Sequence, residues 1–224
     1  GIMGAMPDEV DQLCARLSGV EVQQYAGVEY HQGRLGDKEV VVCCAGMGKA
    51  NAAATTQVLC GKFGAQAIIF SGIAGNMSEE IGIGDVVVGK EVCYHDAEVS
   101  MICQSAPFLK SYTGDPALVQ AALDACAALG VKAIAGRIAT GDTFVGDGAT
   151  KAVIAEKVHP DCVEMEGAAV SQIAARNGVP CVVLRAMSDN ADESGHELLV
   201  VKKFSIAEYV TTATAIVARM LESL

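Results

Sequence analysis

Short apolar runs alternate along this chain with helix-patterned stretches, and several of those runs end in glycines or acids just before a helix begins. That alternation selects an α/β architecture, because strands that are apolar on both faces must be covered on both faces. An early strand pair, Val28–Leu35 and Glu39–Ala45 joined at Gly36-Asp37, adds an antiparallel element, so the sheet is expected to be mixed. With 224 residues, of which 51% are hydrophobic, the chain has the size and core material of one undivided α/β domain, and 1–224 is read as a single domain.

A buried strand is expected to end within Gly1–Met6, and Pro7-Asp8-Glu9 then opens a helix with Val10, Leu13, Cys14 and Leu17 on one face. Further helices are expected over Ala50–Phe63, Ala117–Leu129, Gly148–Val158, Gly167–Asn177 and Ser205–Leu224. Strands are expected over Ala67–Phe70, Val86–Val88, Lys132–Thr140 and Pro180–Ala186. Residues 100–115 show no clear period and read as a long surface loop.

Charge and composition exclude several classes of function. A formal charge of −11 with no basic stripe argues against nucleic acid or an anionic membrane as partner, since both need clustered cations. No apolar run approaches the roughly 20 residues that span a bilayer, and no signal-peptide core opens the chain. Nine cysteines are scattered through apolar runs without a CxxC pair or histidines at ligand spacing, so no metal site is expected. They read as reduced thiols in a reducing, cytoplasmic compartment. The chain opens at Gly1 without an initiator, which leaves room for a removed N-terminal address.

The candidate chemistry lies where strands turn into helices. In Val163-Glu164-Met165-Glu166-Gly167 two acids flank a methionine at such a junction. A buried carboxylate needs a partner or a shifted pKa, so either a hydroxyl-rich ligand uses these acids or they serve the dipole of the helix that follows. Glu9 poses the same alternative just past a strand end. Gly46-Met47-Gly48 can cradle an anion or simply turn the chain tightly, and it lacks the remaining residues of a dinucleotide or P-loop fingerprint. Ser71-Gly72-Ile73-Ala74-Gly75 either lets a ligand approach the backbone or forms a turn with positive φ. His95 and Asp96, adjacent on a strand, point to opposite faces, and His95 is read as structural. Phe144, on the loop Thr140–Gly146, can stack on a planar ring or plug the core. The last strand delivers Arg185 and then Ser188-Asp189; if these loops converge they form a pocket with an apolar wall.

Gly4-Ala5-Met6 with Glu9, Gly46-Met47-Gly48-Lys49, Ser71–Gly75, Ala139–Phe144, Val163–Glu166 and Arg185-Ala186-Met187-Ser188-Asp189 occur in order across nearly the whole chain. Together they resemble the bacterial 5′-methylthioadenosine/S-adenosylhomocysteine nucleosidases, within the superfamily of purine nucleoside and uridine phosphorylases. The resemblance implies a three-layer α/β/α sandwich around a mixed, barrel-like sheet and a homodimer. It further implies a hydrolase that needs no cofactor and belongs to methionine salvage. By the same resemblance Asp189 is the acid at N7 of adenine, oriented by Ser188, and Glu9 is the base that activates water, with Arg185 nearby. Glu166 accepts from the ribose hydroxyls and Met165 lies against the sugar. Phe144 stacks on adenine, the Val145 backbone reads the base edge, and Met6, Met47 and Ala74 line the walls. Val99 and Ile102 are the contributors expected in a 5′ channel built partly by the partner subunit.

The chain departs from that pattern at Ile73, where some members carry a serine near the water, and at Ile102, which replaces a frequent aromatic. Its segment 197–206 is shorter than usual, so the lid aromatic, for which Phe204 is the candidate, stays unassigned. Two other readings remain open at this stage: a phosphorylase, which would depend on phosphate, and an idle nucleoside-binding protein that keeps the fold.

Overall fold

Five strands of the computed structural model, which describes residues 1–196 and 207–224, close on themselves into a ring. In chain order the first half comprises β1 (Ile2–Gly4), α1 (Pro7–Cys14), β2 (Ser18–Tyr25), β3 (Val28–Leu35), β4 (Lys38–Cys44), α2 (Lys49–Gly61) and β5 (Ile68–Asn76). The middle comprises β6 (Val86–Tyr94), α3 (Val99–Ile102), β7 (Tyr112–Thr113), α4 (Pro116–Ala128) and β8 (Ala133–Thr140). There follow α5 (Gly148–Val158), β9 (Cys162–Glu164), α6 (Gly167–Asn177), β10 (Cys181–Asp189), α7 (Glu193–His196) and α8 (Ala207–Ser223). The ring runs β10-β6-β8-β9-β5 and back to β10, and β1, β4, β3 and β2 extend from β5 as a twisted flap. Pairing is mixed as expected: β5–β10, β6–β8 and β8–β9 are parallel, whereas β6–β10 and β5–β9 are antiparallel.

The strand sequences are apolar without interruption because both sheet faces are covered. Alternate residues feed two cores: Met3, Cys43, Ile68, Phe70 and Val183 face one, while Ile2, Val42, Ile69, Val182 and Leu184 face the other. Residues of α2 and α6, including Leu59 and Val170, cover the first core. The second is covered by Val10 and Leu13 of α1, Leu118 and Ala122 of α4, and Ile216, Val217 and Met220 of α8. This three-layer arrangement is the expected fold class. No helix among the described residues is long and apolar enough to cross a membrane.

Three differences from the sequence expectation matter for the site. Strands β5 and β10 run past Phe70 and Ala186 to Asn76 and Asp189, because ring closure pairs Leu184–Met187 with Ser71–Ala74 and Asp189 with Gly75, while β9 pairs Gly75 and Asn76. Gly72 and Gly75 therefore sit within a strand and not in a turn, and neither has positive φ. Strand β2 was not expected; its residues are largely exposed, and it joins β3 through Ala26 and Gly27 at φ 51° and 80°. The stretch 100–115 contains the end of α3 and the short β7 rather than an unbroken loop.

Candidate active site

The C-terminal ends of β1, β5, β9 and β10 meet the β4–α2 turn around one cavity of about 410 Å³. Open α/β sheets collect ligands at such ends because side chains from several strands converge there. Glu9, Glu166, Arg185, Ser188 and Asp189 line it with Met6, Met47, Ala74, Met165 and Phe144. The polar members are almost wholly enclosed, with Arg185 1% exposed, Asp189 3% and Glu9 6%.

Each acid is held by backbone donors that the local fold supplies. Glu9, in the first turn of α1, reaches back so that Oε2 accepts from Ala5 N at 2.6 Å and Met6 N at 3.0 Å, while Oε1 accepts from Ile73 N at 3.2 Å. It thus satisfies the helix end and faces the cavity at once. Burial pushes its carboxyl above the ordinary range, and Arg185 opposes that shift without cancelling it.

The two acids at the β9–α6 junction divide the alternatives raised by the sequence. Glu164 serves the helix: its Oε2 accepts from Glu166 N at 3.1 Å and Gly167 N at 2.7 Å. It also takes hydrogen bonds from Thr140 Oγ1 and from Arg185 Nη2. Glu166 instead spans toward α2, where Oε1 accepts from Gly48 N at 2.8 Å, and its Oε2 lies 3.5 Å from Arg185 Nη2. The anion cradled by the Gly46-Met47-Gly48 turn is therefore the protein's own carboxylate, and Gly46 and Gly48 also turn tightly, at φ 84° and 92°. Desolvation, then repulsion from Glu164, raises the Glu166 pKa from 4.5 to about 7.

Arg185 is the one cation lining the cavity among the described residues, and it stacks with Cζ 4.2 Å from the Phe70 ring centroid. Its space is made by Gly72, its register partner on β5. A Cβ there would fall 2.1 Å from Arg185 Nη1 and 2.5 Å from Glu9 Oε1. Asp189 Oδ2 accepts from Ser188 Oγ at 2.8 Å and Oδ1 from Ala191 N at 2.8 Å. Ser188 Oγ also lies 3.3 Å from Ala74 O, a second acceptor for its single proton. Gly195 of α7 packs on the same acid, since a Cβ there would come within 2.7 Å of Asp189 Oδ1.

Among the other residues singled out in the sequence, Phe144 is 39% exposed and lines the cavity, so it is not a core plug. Val145 is buried in a small core with Cys93, Ile154 and Val163 and borders a minor cavity beside Phe144 and Asp189. Val99 and Ile102 lie on α3 and do not line the cavity of their own chain. His95 is buried outside the cavity lining, with its ring against Gly141. Phe204 lies outside the described residues. The sequence leaves Glu164 between a ligand and the helix dipole, without pairing it to Arg185, and does not point to Gly195. The signal for Glu164 was present, because Arg185 needs a buried counter-charge; nothing local marks Gly195.

The chain belongs to the phosphorylase superfamily, whose model matches residues 1–222. Within it the chain is a member of the 5′-methylthioadenosine/S-adenosylhomocysteine nucleosidase family, and so an enzyme that hydrolyses N-glycosidic bonds. A nucleosidase of that name from Shewanella sediminis is 41% identical over 198 residues, 86% of each chain. The crystal structure of the Colwellia psychrerythraea nucleosidase in complex with adenine superposes with a TM-score of 0.92 at 31% identity, covering 100% of this chain and 94% of that one. The futalosine hydrolase of Helicobacter pylori superposes with a TM-score of 0.90 at 29% identity, covering 100% and 97%.

Proposed function

We propose that the protein hydrolyses the adenine N-glycosidic bond of 5′-methylthioadenosine and S-adenosylhomocysteine, releasing adenine and the thio-substituted ribose. The observation that carries this reading is the enclosure of Glu9, Glu166 and Asp189 around one cavity that Phe144 also lines. The names of the relatives and the adenine bound in the Colwellia structure support the choice of substrate.

In this reading adenine stacks on Phe144 with its edge on the Val145 backbone, and Met6, Met47 and Ala74 close the walls. Asp189, oriented by Ser188, donates a proton to N7 as the C1′–N9 bond breaks and its electron pair passes to the base. Glu9 holds a water, takes its proton, and directs the oxygen to the oxocarbenium-like C1′. Glu166 accepts from the 2′- and 3′-hydroxyls, and Met165 packs on the sugar. The 5′ group enters a channel completed by Val99 and Ile102 of a second copy, so the working form is a homodimer. The free state of all nine cysteines suits the cytoplasm.

A phosphorylase is less well supported, because the only cation lining the cavity among the described residues is already engaged by Glu164 and Glu166. The test is adenine release in phosphate-free buffer from each nucleoside. Release from methylthioadenosine supports the proposal, and inertness toward every adenine nucleoside offered rejects it.

Two further outcomes follow from this mechanism. Gly72→Ala should lower kcat/KM by about 100-fold or more, since its methyl group would displace both Arg185 and Glu9 and misplacement by about 1 Å costs that much. Kinetics on the variant, with circular dichroism to confirm folding, check it; wild-type rates would mean that the placement of these two side chains is not needed. The pH profile should carry a limb from Glu166, which accepts from the ribose hydroxyls best when ionised. Steady-state kcat/KM should rise with pH through about 7, and the limb should vanish in Glu166→Gln. Stability runs the opposite way. The folded value lies above 4.5, so the contribution of protonated Glu166 is complete below pH 4.5 and is lost as pH rises through about 7.

A further inference from the structure

Lys49, Asp96 and Asp142 form a cluster outside the cavity lining that the reaction does not use directly. Lys49 is the first residue of α2, after β4, and Asp96 and Asp142 lie two residues past the ends of β6 and β8. Two successive amides at the start of the 13-residue α2 each hold a carboxylate. Gly48 N donates to Glu166 Oε1 at 2.8 Å, and Lys49 N donates to Asp142 Oδ1 at 2.8 Å. The Lys49 ammonium donates to both oxygens of Asp96 at 2.8 Å and lies 3.4 Å from Asp142 Oδ2. Asp96 Oδ2 in turn accepts from the backbone N of Asp142 at 2.9 Å.

Asp142 is therefore fixed from both its side chain and its backbone, two residues before Phe144. The dipeptide Gly48-Lys49 that grips it also grips Glu166. Close approach at this joint depends on Gly48, which holds φ 92° and whose added Cβ would lie 3.2 Å from Asp142 Oδ1. A second close contact backs it, since a Cβ at Gly141 would fall 2.3 Å from the His95 ring. The Asp142 side chain is 54% exposed, so its ion pair with Lys49 contributes little by itself. The backbone hydrogen bonds, which fix geometry, carry the effect.

We propose that Asp142, braced by Lys49 and Asp96, is a positioning residue that sets the loop bearing Phe144 against the carboxylate of Glu166, and so fixes the separation between base and sugar subsites. This rests on the adenine nucleoside reading above. It assigns one purpose to the His95-Asp96, Gly46–Lys49 and Thr140–Phe144 motifs.

The test compares Asp142→Ala with Asp142→Asn, whose amide oxygen can still accept from Lys49 N. The readouts are KM and kcat for methylthioadenosine, the dissociation constant of adenine by calorimetry, and the thermal midpoint of each variant. Asp142→Ala should raise KM and the adenine dissociation constant each by about tenfold, the size expected for losing one charge-assisted hydrogen bond. Asp142→Asn should stay within about threefold of wild type, because it keeps the geometry while losing the charge. If Asp142→Ala only melts earlier while its folded fraction keeps wild-type KM and adenine affinity, the residue is merely structural and the inference is overturned. Equal impairment of the two variants also overturns it. A wild-type protein that neither cleaves nor binds these ligands would bring down the proposed function and this inference together; an active wild type matched by Asp142→Ala would bring down this inference alone.

Discussion

Asp189→Asn should lower kcat for adenine release by about 10³-fold while nucleoside affinity stays near that of the wild type. General acid catalysis contributes roughly 10²–10⁴ to such reactions, and this substitution removes the acid without removing its shape. The oxygen of asparagine can still accept from Ala191 N while its amide nitrogen donates to Ser188 Oγ, whose own proton can turn to Ala74 O, so the cavity wall keeps its form. Steady-state kinetics paired with calorimetric binding of a non-cleaved nucleoside analogue separates the two effects. Undiminished turnover would remove Asp189 from the mechanism, and a parallel collapse of binding would mean that it holds substrate rather than protonates it.

Arg185→Met should destabilise the fold by about 3–5 kcal/mol, the cost of leaving a buried charge without its partner. Arg185 is 1% exposed and Glu164 7%, and the pair is joined directly by a hydrogen bond. Methionine roughly fills the space and keeps an apolar contact with Phe70, so most of the loss comes from Glu164 and Glu166, which must then take up protons or remain charged without compensation. The double substitution Arg185→Met with Glu164→Gln should recover part of that stability, since it removes both members of the pair. Denaturant midpoints for the two proteins decide the matter. A single variant as stable as the wild type would show that the pair does not hold this side of the ring together.

Local chemistry made much of the architecture legible. Helices α5 and α6 have the bounds expected from sequence, because Asp147 caps the first and Gly178, at φ 68°, ends the second. Asp115, just before Pro116, caps α4, accepting from Ala117 N and Leu118 N. The extension of β5 and β10 was not legible in the same way. Ser71–Gly75 and Met187–Asp189 lack the composition of a strand, and they are paired only because the ring closes between segments more than a hundred residues apart. Strand β2 escaped notice because exposure on this edge leaves it no apolar pattern to display.

The site shows the same division. Acids at strand ends were visible as a pattern, but the separate duties of Glu164 and Glu166 arise from which backbone amides each one meets. The role of Gly72 was also hidden, since a glycine in a strand announces a close approach without naming what approaches. Only the register of Arg185 opposite Gly72 identifies it.

The nature of the sugar product tests the central claim most directly. Methylthioadenosine and the purified protein can be followed by proton and phosphorus NMR in phosphate buffer. The account predicts adenine and free 5-methylthioribose in equal amounts, with the inorganic phosphate signal unchanged. Growth of a sugar 1-phosphate at the expense of inorganic phosphate would contradict it, because phosphate rather than the water held by Glu9 would then be the nucleophile.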